Sequence, residues 1–348
     1  MNVFEGRRER ARTLVADRAF VSRDLPTIRY LTGFSGSNAT LLLSDDGATL
    51  ITDGRYTEQA RSETDDVAIV IERDAMSAIL NLRPDAVAVD PALSVEDVEC
   101  LRRANVDVEV LGPVLRELRA VKDHHEIALL TRACEITSRA LESLAETLSV
   151  GDIEVRIARQ IESLFADLGA DDRAFPTIVA SGPNSAIPHH RPGTRPLQPG
   201  DLLVIDCGAM VDGYHADMSR TFVVGAEPLP WQREIHSLVR EAQVAGIEAA
   251  VPGVSARDVD HAARSVIAAA GFGDAFTHGT GHGVGLQIHE PPMVTQGSVD
   301  NISADSPITV EPGIYLPGRG GVRIEDTIVV GDPAHVLTQA PHDLIVVG

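Results

Sequence analysis

The segment DCGAMVDGYHAD (206–217) places two aspartates at the inner ends of two apolar runs. Asp206 closes the run LLVID, and Asp217 opens the run DMSRTFVVG. Between them, Asp212-Gly213 is a pair typical of two-residue β-turns. Because side chains alternate between the faces of a strand, a turn at this pair makes both aspartates project from one face, about 7–8 Å apart between Cα atoms. Carboxylates placed in this way can bind a shared pair of cations.

A weak internal repeat adds a second pair of acids. The unit Val150–Phe175 resembles Pro252–Phe276, and each unit reads as an amphipathic helix closed by glycine and followed by strand-rich sequence. The acids that correspond in the two units are Asp206 with Glu311 and Asp217 with Glu325. One acid alone at a strand end is better explained as a solvated turn residue. Repetition of the arrangement favours a metal site instead.

Four buried carboxylates need cations, because placing unpaired anions together in the interior is very unfavourable. Arg323 alone cannot neutralise them. The segment HGTGHGVGLQIHE offers three imidazoles, His278, His282 and His289, among four glycines that argue against a helix. It contains neither a zinc HExxH motif nor a phosphate-binding glycine loop. We expect its glycines to let the backbone pass close to a ligand.

A shell of carboxylates and one imidazole suits Mn²⁺, with Co²⁺, Fe²⁺ or Zn²⁺ as alternatives set by availability. Metal ions in such a shell activate water for hydrolysis without a nucleophilic side chain. The absence of a GxSxG motif from the sequence agrees with this chemistry.

The composition limits the function further. The chain has 348 residues, which predicts about two domains. Its net charge of −21 argues against nucleic acid as a partner, because an acidic surface repels phosphate. No apolar stretch is long enough for a membrane span. Three cysteines without CxxC spacing, and an N-terminal segment without the apolar core of a signal peptide, predict a cytoplasmic protein.

The order of apolar runs predicts two differently built regions. Residues 1–118 alternate helix and strand signals, with a hairpin around Asp46-Gly47 and further strands at AVAVD and VDVEVLG. Residues 116–148 have apolar positions at helical spacing, which predicts one long helix that opens a second domain.

Several motifs together resemble one family. In family order, the motifs ASGPNSAIPHH, DCGAMVDGYHADMSRTFVVG, HGTGHGVGLQIHEPP and TVEPGIYLPGRGGVRIED resemble the pita-bread metallopeptidases of family M24, in the Xaa-Pro aminopeptidase and Xaa-Pro dipeptidase (prolidase) branch. The segments RYLTGFSGSNATLLL and TDGRYTEQA resemble the non-catalytic domain of that branch. The resemblance implies an α/β N-terminal domain of the creatinase/prolidase type over 1–118. It also implies an α+β pita-bread catalytic domain with an internal pseudo-two-fold repeat over 119–348.

The resemblance also implies roles for individual residues. It implies two divalent metal ions, with Mn²⁺ favoured, held by Asp206, Asp217, His282, Glu311 and Glu325. Glu311 would take a proton from the attacking water, and His189 and His289 would line the substrate pocket. Arg323 would orient the metal ligands or bind a substrate carboxylate. His190 and His278 are left open between the site and a structural role.

The expected reaction is hydrolysis of the peptide bond before proline. This bond is a tertiary amide without an N–H, so a site that relies on metal polarisation does not need the donor that general peptidases use. We expect an Xaa-Pro aminopeptidase acting on proline-containing peptides, with an Xaa-Pro dipeptidase as the alternative. A metal-free, creatinase-like hydrolase or binding protein is a further alternative, against which the complete ligand set argues. The resemblance implies a homodimer.

Overall fold

The computed structural model describes residues 3–15, 17–112 and 114–348. Contacts between Cα atoms divide the chain into two compact units, Met1–Arg119 and Ala120–Gly348. Within the described ranges, no helix combines the length and the apolar character that crossing a membrane requires.

In its described residues, the first unit contains a six-stranded mixed sheet and six α-helices. The helices are α1 (Val3–Thr13), α2 (Leu25–Thr32), α3 (Thr57–Glu63), α4 (Ala75–Asn81), α5 (Val95–Arg103) and α6 (Val114–Leu118). The strands are β1 (Ala19–Ser22), β2 (Thr40–Ser44), β3 (Gly47–Thr52), β4 (Val67–Ile71), β5 (Ala86–Val89) and β6 (Asp107–Val110). The order across the sheet is β4-β3-β2-β1-β5-β6. The predicted strands AVAVD and VDVEVLG are confirmed as β5 and β6.

The predicted hairpin of the first unit forms, one residue away from the expected centre. Ser44 pairs with Gly47 across β2 and β3, so the two turn residues are Asp45 and Asp46 rather than Asp46 and Gly47. Gly47 instead begins β3 with a φ of 134°, a backbone conformation that glycine adopts without strain.

The second unit contains four longer helices and two main sheets in its described residues. The helices are α7 (His124–Ala145), α8 (Glu154–Asp167), α9 (Pro230–Ala249) and α10 (Ala256–Ala269). The strands are β7 (Asp172–Arg173), β8 (Ile178–Ser181), β9 (Leu202–Cys207), β10 (Ala209–Val211), β11 (Tyr214–His215), β12 (Met218–Val224), β13 (Gly281–Gly283), β14 (Glu290–Val294), β15 (Pro307–Val310), β16 (Gly313–Leu316), β17 (Gly320–Arg323), β18 (Asp326–Val329), β19 (His335–Val336) and β20 (Val346–Val347).

The internal repeat predicted from the sequence is visible in the second unit. Helices α8 and α10 occupy corresponding positions in the two repeats. Strands β8, β9 and β12 then lie side by side and antiparallel, as do β13, β15 and β18 in the other half. The two sheets have the orders β20-β12-β9-β8 and β14-β13-β15-β18-β19. In each half the helix packs on an apolar cluster of buried side chains. Ile161 of α8 belongs to one cluster, and Ile267 of α10 belongs to the other.

The single long helix predicted over residues 116–148 is wrong. The short helix α6 ends at Leu118, and α7 begins at His124. Asp123 caps α7: its side chain accepts a hydrogen bond from the N–H of Glu126 (3.0 Å), and the Glu126 carboxylate accepts one from the N–H of Asp123 (3.0 Å). This reciprocal pair is a capping box, a start signal that the apolar periodicity across residues 116–148 concealed.

Candidate metal centre

The turn that joins the first two acids forms as predicted. Val211 pairs with Tyr214, and Asp212 and Gly213 both have positive φ, 48° and 75°. Positive φ at both central residues is the pattern of the type I′ turn, whose twist matches a hairpin. Ser219 pairs with Asp206 in the same register farther along β9 and β12. The hairpin therefore keeps one continuous register from its turn to the strands that carry the acids.

The residues predicted for the site surround one cavity of about 580 Å³. Its lining includes Asp206, Asp217, His282, Glu311, Glu325, His189 and His289. Arg323 lines an adjoining cavity of about 360 Å³ that shares Asp206, His282 and Glu311 with the first. All eight residues predicted for the site are thus gathered at one place in the second unit.

The candidate metal-binding atoms lie close together. Asp217, His282 and Glu325 each present a ligand atom, and these atoms all lie within 4.8 Å of one another. The Nε2 atom of His282 lies 3.5 Å from Oδ2 of Asp217 and 3.8 Å from Oε1 of Glu311. Residues from both repeats therefore face one another across the cavity.

The imidazole of His282 is oriented for coordination. Its Nδ1 lies 3.0 Å from the carbonyl oxygen of Gly283, which can only accept, so Nδ1 carries the proton. The Nε2 lone pair is left facing the carboxylates. Burial, followed by the neighbouring His289, lowers the pKa of His282 to about 4, which keeps the ring neutral. A neutral imidazole held by a backbone carbonyl is the usual form of a metal-binding histidine.

Three acids of the candidate metal centre, Asp217, Glu311 and Glu325, form a cluster that resists ionisation while no cation lies among them. Burial raises the pKa of Asp217 and of Glu325 well above the usual range, and the neighbouring carboxylates add to the shift. Burial also raises the pKa of Glu311 to about 8, with Arg323 opposing and Asp206 adding to the shift. Divalent cations at this position would relieve the desolvation and the mutual repulsion of these groups together.

Asp206 gives the most direct test of whether cations fit. Its Oδ2 atom accepts a hydrogen bond from Nη2 of Arg323 at 2.7 Å. Its Oδ1 atom is buried and has no hydrogen-bond partner among the described residues. A buried carboxylate oxygen without a partner is costly, and a metal ion supplies the missing partner. The donor set of this cavity therefore fits divalent ions.

Arg323 is held on several sides. Its Nε donates to Oγ of Ser219 (2.8 Å) and its Nη1 to the hydroxyl of Tyr315 (2.9 Å), while Nη2 holds Asp206. Ser219 donates in turn to Oε2 of Glu325 at 2.9 Å. The guanidinium thus orients Asp206 directly and Glu325 through the hydroxyl of Ser219. Arg323 is buried, with 3% of its surface exposed.

Two glycines of HGTGHG are required by the packing of neighbouring strands. A Cβ on Gly281 would collide with the carbonyl oxygen of Thr309, and one on Gly283 with that of Pro291. These glycines therefore let β13 lie between β14 and β15 at very short distances. The close approach of the backbone to a ligand stays a prediction.

Two further buried acids hold strand segments near the candidate metal centre in place through Ser181 and Thr280. Glu154 on α8 is fully buried, and its Oε1 accepts hydrogen bonds from the N–H (2.8 Å) and the hydroxyl (2.7 Å) of Ser181. Asp260 on α10 is also fully buried, and its Oδ1 accepts from the N–H (3.1 Å) and the hydroxyl (2.9 Å) of Thr280. We call Glu154 and Asp260 the anchor acids.

Lys122 makes a third buried contact near the cavity. Its Nζ lies 2.9 Å from Oε2 of Glu290, and both side chains are 1% exposed. Glu290 follows His289 directly, so the ion pair fixes the chain next to a residue of the cavity wall. A Cβ on Gly285 would meet Nζ of Lys122 at 2.8 Å, so the space around the ammonium group is closed.

Sequence reasoning did not identify Ser219, Tyr315 or the anchor acids. A signal for the anchor acids is present in the sequence, because each occupies an apolar position of its amphipathic helix. Glu154 lies on the buried face of α8 with Ile157 and Ile161. Asp260 lies on the buried face of α10 in the same way. An acid at such a position needs partners, and this requirement marks it as structurally important.

Residues 128–332 match metallopeptidase family M24, and residues 7–121 match the Creatinase/Prolidase N-terminal domain. The chain belongs to metallopeptidase family M24. It is 37% identical over 334 residues to a protein of Pyrococcus furiosus named Xaa-Pro dipeptidase, covering 94% of this chain and 95% of that one. The predicted family and fold, a creatinase-type N-terminal domain with a pita-bread catalytic domain, are confirmed, as is the prediction of a metallopeptidase.

Two solved structures are similar over almost the whole chain. One is described as Xaa-Pro dipeptidase from Bacillus anthracis, with a TM-score of 0.93, 31% identity, and coverage of 99% of this chain and 100% of that one. The other is described as X-Pro aminopeptidase from Thermotoga maritima MSB8, with a TM-score of 0.89, 33% identity, and coverage of 97% and 100%. On balance the names of relatives favour the dipeptidase alternative, and the aminopeptidase preference drawn from the sequence lacks specific support.

Proposed function

We propose that this chain is an Xaa-Pro dipeptidase that hydrolyses the bond before proline with two divalent metal ions. The observation that carries the proposal is the cavity of the second unit, where four acids and one neutral imidazole converge. The Pyrococcus furiosus relative, which matches nearly the full chain, carries the name of that activity.

The five ligands in this proposal are Asp206, Asp217, His282, Glu311 and Glu325. When bound, the ions polarise the carbonyl of the scissile bond and lower the pKa of water towards neutrality. The mostly oxygen donor set suits Mn²⁺, while Co²⁺, Fe²⁺ and Zn²⁺ remain alternatives.

The remaining chemistry belongs to the side chains of the cavity. Glu311 takes the proton of the attacking water, since its carboxylate is 20% exposed and faces the cavity. His189 and His289 lie in the cavity wall, where they position the substrate and donate to the developing oxyanion. Arg323 acts as a positioning residue, because its hydrogen bonds hold Asp206 and Ser219.

The shape of the cavity suits a proline side. Phe175, Ile178 and Ile288 line it together with the polar groups. An apolar wall can pack against a pyrrolidine ring, and the tertiary amide requires no N–H acceptor.

An Xaa-Pro aminopeptidase is the second candidate, because one of the similar solved structures, from Thermotoga maritima, carries that name. A peptide panel on metal-stripped enzyme, restored separately with Mn²⁺, Co²⁺ or Zn²⁺, separates the two. We expect Ala-Pro to be cut, Ala-Ala to be cut poorly and Ala-Pro-Ala to be cut more slowly than Ala-Pro. Equal rates on Ala-Pro and Ala-Pro-Ala would instead support the aminopeptidase.

The same panel tests the metal requirement. We expect two bound ions per chain by elemental analysis and loss of hydrolysis with a chelator. Full activity of a metal-free preparation would establish the creatinase-like alternative. The homodimer and the cytoplasmic location expected from the sequence stay predictions, and light scattering coupled to gel filtration measures the first.

A further inference from the structure

A dipeptide brings a charge problem to this cavity. The C-terminal carboxylate of Xaa-Pro is attached to the carbon next to the scissile nitrogen, so it lies close to the bond that is cut. The surrounding acids repel it, and bound ions compensate charge chiefly for their own ligands. A cation of the protein is therefore needed on the proline side of the cavity.

Arg323 does not meet this need. Its three nitrogens donate to Ser219, Tyr315 and Asp206 at 2.7–2.9 Å, and Nη1 also reaches the carbonyl of Pro188 at 3.3 Å. The guanidinium fork is occupied by these partners and is 3% exposed. The sequence-based role of Arg323 in binding a substrate carboxylate would require these bonds to break.

Arg191 is the other cation in the walls of the two adjoining cavities. Among the described residues that line them, Arg191 and Arg323 are the only arginines, and no lysine is present. Arg191 is exposed, and within the described ranges no hydrogen bond or ion pair engages its guanidinium. Its fork is therefore available to a ligand.

The backbone that carries Arg191 is fixed on both sides by an anchor acid. Oε2 of Glu154 lies 2.9 Å from Nε2 of His190 and accepts a hydrogen bond from the N–H of Gly193 at 3.2 Å. Since Glu154 is fully buried, these bonds tie the segment 190–193 to helix α8. His189, directly before this segment, lies in the cavity wall. Arg191 is thus a long cationic side chain on a fixed base beside the substrate position.

We propose that Arg191 binds the C-terminal carboxylate of an Xaa-Pro dipeptide and so determines the preference for dipeptides over longer peptides. This inference rests on the proposed function and specifies one of its contacts. A guanidinium and a carboxylate form two parallel charge-assisted hydrogen bonds. A longer peptide, or a dipeptide amide, presents a neutral amide at the same place and loses this contact.

The test uses two substrates that differ only in this charge, Ala-Pro and Ala-Pro-NH₂, on Mn²⁺-loaded full-length enzyme. Arg191→Gln removes the fork, and Arg191→Lys keeps the charge but not the bidentate geometry. Arg159→Gln, on the exposed face of α8 and outside both cavities, makes the same change in net charge and serves as the matched control.

We expect Arg191→Gln to lower kcat/KM for Ala-Pro about tenfold, which is the lower end for a hydrogen bond to a charged group. The loss should lie in KM, with the rate on Ala-Pro-NH₂ changed less than twofold and Arg191→Lys intermediate on Ala-Pro. The control should leave both rates unchanged.

Equal losses on the two substrates, or no loss on either, would overturn the role of Arg191 while leaving the dipeptidase activity established. Wild-type enzyme that cuts Ala-Pro and Ala-Pro-NH₂ equally well would also overturn it. Wild-type enzyme that cuts neither substrate refutes the proposed function itself, and the inference is then refuted with it.

Discussion

The two halves of the second unit use the same anchor for different purposes. In each half, one carboxylate oxygen of an anchor acid binds both the N–H and the hydroxyl of a Ser or Thr, Ser181 with Glu154 and Thr280 with Asp260. The halves differ in the other interactions. Glu154 turns its second oxygen to the segment 190–193, after its strand.

Asp260 instead binds Arg264 through both oxygens, at 2.8 and 2.9 Å. Arg264 then donates to the carbonyl oxygens of Phe276 and His278, before the strand that carries His282. The two repeats therefore share the anchor between helix and strand and differ in the partners of the remaining carboxylate contacts. One half holds the segment 190–193 beside the cavity, and the other holds the segment that precedes His282.

The largest effect on activity is expected at Glu311, and it should differ in kind from the effect at Asp206, the acid at the equivalent position of the other repeat. Glu311→Gln should lower kcat by about 10²–10⁴-fold even at saturating Mn²⁺, because it removes the proposed proton acceptor as well as one proposed metal ligand. Asp206→Asn should instead lower bound metal first, since Asp206 is tied to Arg323. Steady-state kinetics with elemental analysis distinguishes these outcomes. If Glu311→Gln keeps activity within tenfold of wild type, Glu311 is not the base.

The next effect tests the anchor acids directly. Glu154→Gln and Asp260→Asn should each lower activity about 10–100-fold, the range for residues that orient a metal site by hydrogen bonds without contacting the metal. Glu154→Gln should act mainly on KM with metal affinity kept, whereas Asp260→Asn should weaken metal affinity. Metal titration and kinetics on the same preparations measure both.

Milder changes guard against loss of folding in the anchor variants. Ser181→Ala and Thr280→Val each remove one hydroxyl contact and leave the carboxylate in place. They should reproduce the same division between KM and metal affinity at smaller amplitude. Identical effects in both halves would show that the anchors only stabilise the fold.

The smallest expected effect is the pH dependence of metal-free protein. In the folded state burial raises the pKa of Glu311 from 4.5 to about 8, and the pKa values of Asp217 and Glu325 move in the same direction. Between pH 4.5 and about 8 the folded state therefore binds more protons than the unfolded state, so the free energy of unfolding falls as pH rises. Urea denaturation between about pH 5 and 8 in EDTA should show this fall. Replacing EDTA with excess Mn²⁺ should make the fall smaller. A fall that Mn²⁺ leaves intact would place its cause outside the cluster.

Local sequence rules predicted much of the second unit because its repeat and its turns obey them. The Asp212-Gly213 turn and the helices α8 and α10 follow from turn chemistry and from apolar periodicity with glycine at the C-terminal end. The same rules do not reach side chains that meet only in the folded chain. Ser219 and Tyr315 lie inside two of the quoted motifs, but nothing in those motifs indicates that their hydroxyls hold Arg323 in the folded chain.

The errors had local physical causes as well. The continuous helix over residues 116–148 was predicted because the apolar spacing continues through the break, and the capping box at Asp123 was not weighed against it. The anchor acids were missed because partners that satisfy a buried acid, such as Ser181 for Glu154, are distant in sequence. The proposed preference for dipeptides rests on Arg191 in the cavity wall, which lies directly after the quoted motif ASGPNSAIPHH and outside it.

The ion pair of Lys122 with Glu290 has a practical consequence for labelling. Lys122 is the only lysine of the chain, and its closed surroundings leave no lysine side chain for amine-reactive cross-linkers on the folded protein. Acylation of that single ammonium group, followed by mass spectrometry, would therefore report how often the second unit opens around it.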